Sequence, residues 1–305
     1  MKYPLRGNPS RLSGIPPKAG KSAIRLRQGY GGLVRNPQCP AVAVLYAPGI
    51  NCHEETAFAL ELAGLEGHVV NFHDVLSGDD ALTGYQAVVV PGGFSWGDHL
   101  GAGRIFGVHL IARLADQLGE LVEAGKPVLG ICNGFQVLVE TGLLPDRTIG
   151  RRGAALLQNR SATFESRWVE LVVTDAASIW TKGLEGRILR MPVAHGEGRL
   201  YWEDGGSGVG CSVSGVGGPQ SPNTQHPTPD TCIKPVLCYS KDGSPTEEYP
   251  ANPNGSPGGV AGICDSTGLI FGLMPHPERA ALDWHGSTDG MEMFENLARY
   301  LMLSN

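Results

Sequence analysis

Residues 126–144, KPVLGICNGFQVLVETGLL, hold the reading on which the fold turns. Val128 to Ile131 is a short apolar run between Pro127 and a glycine-flanked turn, the pattern of a buried strand. From Phe135 to Leu144 the apolar residues recur at helical spacing, with Phe135, Leu138 and Val139 on one face. Cys132 therefore sits where a strand hands the chain to a helix, with Gly130 and Gly134 on either side. A thiol at such an elbow is exposed by the turn and meets the positive end of the succeeding helix.

Working outward, the same alternation repeats. AVAVLY (41–46), HVVNF (68–72) and QAVVV (86–90) read as strands, EETAFALELAGL (54–65) as an amphipathic helix, and FGVHLIARLADQLGELVEAG (106–125) as a long helix ended by Gly125. Apolar strands separated by helices predict an open, mostly parallel sheet covered on both faces. From about residue 153 the intervening helices disappear. AALL, RWVELVV, RILRMPVA, PVLCYS, GVAGIC and LIFGLM suit antiparallel additions beside the parallel core, and DGMEMFENLARYLML (289–303) closes as a helix.

Composition limits the remaining possibilities. Residues 1–38 hold eight Lys and Arg and no acid, so residues 39–305 carry −14 against a whole-chain charge of −6. This basic leader is rich in Pro, Gly, Ser and Arg and is predicted to be disordered. A flexible tail, a transit-type segment and an upstream start remain open for it. The acidic body, residues 39–305, argues against nucleic acid as a partner. No apolar run is long enough to span a bilayer. Seven scattered cysteines (39, 52, 132, 211, 232, 238 and 264) without a CxxC pair argue for free thiols in a reducing compartment, and against a metal site. Residues 204–231, low in complexity and nearly uncharged, read as a flexible insertion.

Two further loops are expected at the level of Cys132, because ligands of open α/β sheets bind beyond the carboxyl ends of the strands. VVVPGGFSWGD (88–98) leaves its strand through Pro91, Gly92 and Gly93, and LIFGLMPHPERA (269–280) presents His276 between Pro275 and Pro277, with Glu278 directly after. Cysteine, histidine and carboxylate on three such loops form a nucleophile, base and orienter set. Taken alone, a cysteine after a strand is ordinarily a small buried hydrophobe, and a His-Pro pair a turn. Their joint occurrence is what is specific.

GICNGFQ, PGGFSWGD and MPHPERA resemble the class I glutamine amidotransferases, whose triad is Cys, His and Glu. Within that class, PGINCHEETAFALELAG, NRSATFESRWVEL, PVAHGEGRLYW and YPANPNGSPGG resemble the glutaminase subunits of phosphoribosylformylglycinamidine synthase. AHGEGR and NPNGS discriminate most, and the resemblance covers roughly residues 41–300 apart from the insertion. It implies a flavodoxin-like sheet and hydrolysis of L-glutamine, with Cys132 as thioester-forming nucleophile, His276 as acid and base, and Glu278 as its orienter. It also implies an oxyanion hole from the N–H groups of Gly93 and Asn133 with Phe94 beside it, and Gln136 as a holder of the substrate. Asn159, Ser161 and Phe164 are expected either in the same pocket or in an ordinary strand-entry role. His195 is expected near a partner or ammonia exit, or as a structural loop histidine. Cys52, which lacks a glycine-flanked elbow, reads as structural. Trp96 stands where the family usually has Tyr.

The implied partners are a synthetase subunit and a small bridging subunit. ATP and Mg²⁺ are expected on the synthetase, since no G-x-x-x-x-G-K-[ST] loop occurs here. A glutaminase for GMP or anthranilate synthesis, or a catalytically silent scaffold, are the alternatives. AHGEGR and NPNGS count against the first, and the intact Cys132, His276 and Glu278 against the second.

Overall fold

The structure is a computed structural model that describes residues 39–175, 177–202 and 233–303. The expected leader (1–38) and all of the expected insertion (204–231) lie outside the described residues.

The chain begins with the alternation the sequence predicts. Strand β1 (Ala41–Tyr46) leads to α1 (His53–Leu62), then β2 (Glu66–Asn71), α2 (Phe72–Ser77), β3 (Ala87–Val90), α3 (Arg104–Glu123), β4 (Val128–Ile131) and α4 (Asn133–Thr141). Helix α2 is an element that apolar periodicity does not predict. Asn71 ends the strand and caps the helix, its side-chain oxygen accepting the His73 N–H at 2.9 Å. Helix α3 buries Phe106, Leu110, Leu114, Leu118 and Leu121, a stripe at helical spacing that covers one face of the sheet.

Nearly continuous strands complete the chain: β5 (Ala154–Gln158), β6 (Glu165–Val173), β7 (Ile188–His195), β8 (Glu197–Trp202), β9 (Lys234–Lys241), β10 (Ser244–Pro245), β11 (Val260–Cys264) and β12 (Ile270–Leu273). Helix α5 (Met291–Leu303) comes last. The main sheet runs β2-β1-β3-β4-β12-β11-β9-β6-β7, with β10 on β9, and β5 pairs with β8 in a separate two-stranded sheet. Strands β2, β1, β3, β4 and β12 pair in parallel. From β11 onward every pairing is antiparallel. Strand β12 is thus the seam, parallel to β4 on one side and antiparallel to β11 on the other.

Register sets where the strands end. Val90 pairs with Gly130, and Leu273 pairs with Ile131. The carboxyl ends of β3, β4 and β12 therefore finish within about a residue of one another. Helix α4 packs so closely on this edge that all of its residues except Glu140 are buried. Gly134 explains how: an added Cβ there would lie 1.8 Å from the Val90 carbonyl oxygen.

Gly134→Ala should accordingly cost at least about 3 kcal/mol, because the obstacle is backbone that cannot rotate away. Gly119 in α3, with nothing within 4 Å of an added Cβ, should gain about 1 kcal/mol as alanine. Urea denaturation of both variants checks the pair, and equal effects would contradict the packing described.

Candidate active site

Four neighbouring strand ends build the site. The turn after β1 carries Cys52, the turn after β3 carries Gly92 and Gly93, the elbow after β4 carries Cys132, and the turn after β12 carries His276 and Glu278. Cys132 adopts φ 50° and ψ −104°, a conformation that costs a non-glycine residue about 1–3 kcal/mol and persists only when its surroundings enforce it. The enforcement is visible: its N–H donates to the Leu273 carbonyl at 2.8 Å and its carbonyl accepts the Gln136 N–H at 3.2 Å.

His276 and Glu278 are both buried, with Nδ1 2.6 Å from Glu278 Oε1. The carboxylate fixes Nδ1 as the protonated nitrogen and leaves Nε2 as the free face of the ring. That Nε2 is buried without a hydrogen-bond partner. Burial opposes the charged imidazole, but the Glu278 carboxylate and the sulfurs of Cys132 and Cys52 outweigh it and hold His276 well above the usual histidine range. Gly92 permits this convergence. An added Cβ would fall 2.8 Å from His276 Cε1, 3.1 Å from Cys52 Sγ and 3.5 Å from Cys132 Cβ.

The N–H groups expected to form the oxyanion hole sit at the same edge. Asn133 opens α4, where first-turn N–H groups lack helical partners. Gly93 has φ 150° and bridges to Ile50. The Phe94 N–H is committed to the Gly49 carbonyl at 2.9 Å, so Phe94 offers only its half-exposed ring, 6.3 Å from that of Phe164.

Beneath this edge lies a polar network that sequence reasoning missed. The Asn133 amide donates to Asp98 Oδ1 at 3.2 Å and to Gln136 Oε1 at 2.9 Å, while its oxygen accepts the Ser95 N–H. Gln136 Nε2 in turn donates to the Glu197 carbonyl, and Glu197 Oε2 accepts the Ala102 N–H. Both ends of the Gln136 amide are thus engaged within the protein. Burial, the largest influence, pushes the Asp98 carboxyl up to about 6. The only sequence signal for Asp98 and Glu197 is their place inside the FSWGD and HGEGR stretches.

Asn159 is buried and serves His195. Its amide donates to the carbonyls of His195 and Thr163, which leaves Oδ1 to accept from His195 Nδ1 at 3.1 Å and from the Gly198 N–H. His195 therefore carries its proton on Nδ1 and holds an unprotonated, buried, unpartnered Nε2. Burial and the neighbouring His276 push its pKa down to about 3. Ser161 instead belongs to a surface turn, accepting from the Thr163 hydroxyl at 3.0 Å. Trp96 lies outside the triad, stacked on His109 with ring centroids 5.0 Å apart. Cys52, read as structural, is brought by the fold to the triad itself: its sulfur, His276 and Glu278 present ligand atoms within 4.8 Å of one another.

Chemically, a buried histidine and carboxylate beside an elbow cysteine can carry acyl transfer through a thioester. The comparisons agree with that chemistry. Residues 39–208 and 233–301 match the model of the CobB/CobQ-like glutamine amidotransferase domain. The chain is 39% identical over 244 residues to the phosphoribosylformylglycinamidine synthase subunit PurQ of Methanococcus maripaludis, covering 79% of this chain and 82% of that protein. It is 36% identical over 269 residues to the subunit of the same name from Dehalococcoides mccartyi, covering 84% and 96%. Among solved structures, that of PurLQS from Thermotoga maritima aligns with a TM-score of 0.65 at 33% identity, spanning 86% of this chain and 99% of that one. The glutaminase domain of CTPS from Trypanosoma brucei, at 13% identity and a TM-score of 0.51, shares the fold; the alignment covers 86% of this chain and 94% of that one.

The raised Asp98 pKa has a signed consequence. Native Asp98 holds its proton more tightly than the unfolded chain does, so its contribution is most favourable below the unfolded value and is lost as pH rises through about 6. Asp98→Asn, which tolerates the residue's φ of 52°, should therefore gain stability over wild type at about pH 7 and lose that gain at about pH 4. Urea midpoints at the two pH values check it; a pH-independent difference would refute it.

Proposed function

The chain belongs to the CobB/CobQ-like glutamine amidotransferases and within them to the PurQ glutaminase subunits of phosphoribosylformylglycinamidine synthase, and we propose that its chemistry runs through Cys132, His276 and Glu278. The observation that carries this reading is the buried His276–Glu278 pair on the strand end next to the Cys132 elbow. Cys132 Sγ attacks the γ-carboxamide carbon of L-glutamine while His276 Nε2 takes the thiol proton. The developing oxyanion is held by the N–H groups of Gly93 and Asn133. His276 then returns the proton to the departing nitrogen, which leaves as ammonia, and a γ-glutamyl thioester remains on Cys132. Water, deprotonated by the same Nε2, opens the thioester to L-glutamate and regenerates the thiol. Glu278 keeps Nδ1 protonated throughout and stabilises the imidazolium.

Ammonia passes to a synthetase subunit that binds ATP and Mg²⁺ and converts formylglycinamide ribonucleotide to its amidine, with a small bridging subunit completing the complex. Support comes from membership of the family and from the likeness to the PurLQS structure of Thermotoga maritima. Gln136 acts on the substrate indirectly, by holding Asn133 and the Glu197 strand in place. His195, with Asn159 fixing its tautomer, faces the ammonia side of the site, and Phe164 pairs with Phe94 at the entrance. No helix among the described residues is long and apolar enough to cross a membrane. The free thiols favour placement in the reducing cytoplasm.

Cys132→Ala should abolish glutamine-dependent amidine formation in the assembled complex yet spare the reaction driven by added ammonium salt. Retained glutamine-dependent turnover would refute the thioester. His276→Ala should lose about 10²–10⁴-fold in glutamine hydrolysis, and Glu278→Ala less, because the carboxylate only orients the base. Steady-state assays of the two variants check the order.

A further inference from the structure

The two N–H groups assigned to the oxyanion stand on different loops, Gly93 after β3 and Asn133 after β4. Each has to point at one oxygen from about 2.7–3.1 Å, so their spacing must be held to a fraction of an ångström. Gly93 is held from its far side by the bridge to Ile50. Two hydrogen bonds stitch its loop to the elbow, and both belong to the fully buried Asn133 amide. The amide oxygen accepts the Ser95 N–H at 3.2 Å, and the amide nitrogen donates to Asp98 Oδ1 at 3.2 Å. Asp98 is the end of this stitch at which the chain is strained. Trp96, Gly97 and Asp98 follow one another at φ 50°, 69° and 52°, a run that persists only where contacts enforce it. Asp98 Oδ1 also accepts the Gly103 N–H at 3.4 Å, so one oxygen closes the loop on itself and on α4. The rest of the loop seats on the same helix, since a Cβ added at Gly103 would lie 2.8 Å from Gln136 Cβ.

We propose that Asp98 is a positioning residue for glutamine hydrolysis: through Asn133 it fixes the oxyanion donor of the elbow relative to that of the Gly93 turn. The proposal rests on the thioester reading above and adds a residue that acts without touching the reacting atoms. The peptide between Cys132 and Asn133 carries the donor, and its rotation is the strained ψ of −104° at Cys132. An Asn133 side chain tied to Asp98 resists the relaxation of that angle. Aspartate suits the position because one carboxylate oxygen serves two donors, and because a φ of 52° favours Gly, Asn and Asp over other residues. Without the stitch both N–H groups survive, but their spacing drifts. Stabilisation of the tetrahedral intermediate then falls, while binding of ground-state glutamine changes little.

The test compares the wild-type chain in the assembled complex with Asp98→Gly, which suits the positive φ, and with Asn133→Ala, which removes the stitch from its other end and keeps the backbone N–H. Each should lower kcat for glutamine hydrolysis about 10–100-fold and change KM less than about threefold. Iodoacetamide alkylation of Cys132, followed by mass spectrometry of its peptide, develops no oxyanion and should keep its rate within about threefold. A merely structural defect would slow both. Asp98→Asn keeps the accepting oxygen and should recover all but about threefold of kcat. The double variant should be no slower than Asn133→Ala, since both changes remove the same link. Unimpaired kcat in the single variants, alkylation that falls in step with kcat, or multiplied losses in the double variant overturns the proposal. If Asp98→Gly does not fold, Asn133→Ala decides by the same two rates. Cys132→Ala, assayed alongside, separates the two levels. Turnover in it refutes the thioester and the positioning role with it, whereas a dead Cys132→Ala beside an unimpaired Asp98→Gly refutes the positioning role alone.

Discussion

The structure depends on the levelling of parallel strand ends. A parallel pair fixes register along its whole length, so Val90 opposite Gly130 and Ile131 opposite Leu273 decide where three loops emerge. A slip of one residue would turn each side chain to the other face of the sheet. It would also shift Cys132 along the sheet relative to His276 by about 3.3 Å, enough to break a hydrogen bond. The site is therefore a property of the sheet, to which the loops contribute the side chains. The bulk of Val, Leu and Ile on both faces of β1, β3, β4 and β12 is what holds that register.

A second layer restrains the side chains. Asn133, Gln136, Asp98 and Glu197 form a chain of hydrogen bonds that ties the start of α4 to the β8 strand and to the loop before α3. Asn159 does the same for His195 and Gly198. The buried members, Asn133, Gln136, Asn159 and His195, would each cost about 1–3 kcal/mol if left unpaired, so the two networks favour one arrangement over near alternatives. Among the buried atoms without partners are His276 Nε2 and His195 Nε2.

Much of this is legible in the sequence, and for identifiable reasons. Apolar periodicity locates the strands, since continuous runs such as AVAVLY and QAVVV have no other stable use in a chain of this kind. The three loops are visible because glycine and proline mark sharp exits from strands. Helix α2 is hidden because Phe72 reads equally well as the end of HVVNF, and the Asn71 cap is a local choice. Strand β8 is hidden because its register comes from β5, some forty residues earlier. Cys52 is the clearest case. Its own neighbours, Asn51 and His53, give no sign of that placement, and the pairing of β1 with β3 helps carry it to His276 and Glu278. Asp98 and Glu197 are likewise recognisable only as parts of longer stretches, while their hydrogen bonds depend on contacts between distant segments.

The backbone strain at Cys132 has a consequence for how the molecule matures. A positive φ at a residue with a Cβ relaxes as soon as the surrounding contacts loosen. Secondary structure can be complete in β4 and α4 while the elbow is still slack. The sulfur is presented at the helix end only when Gly134 has seated against Val90 and the Cys132 N–H has closed on Leu273. Thiol reactivity is thus a late clock of folding, recording side-chain closure where circular dichroism records only helix content. A chain arrested before that moment keeps its outline and has no chemistry.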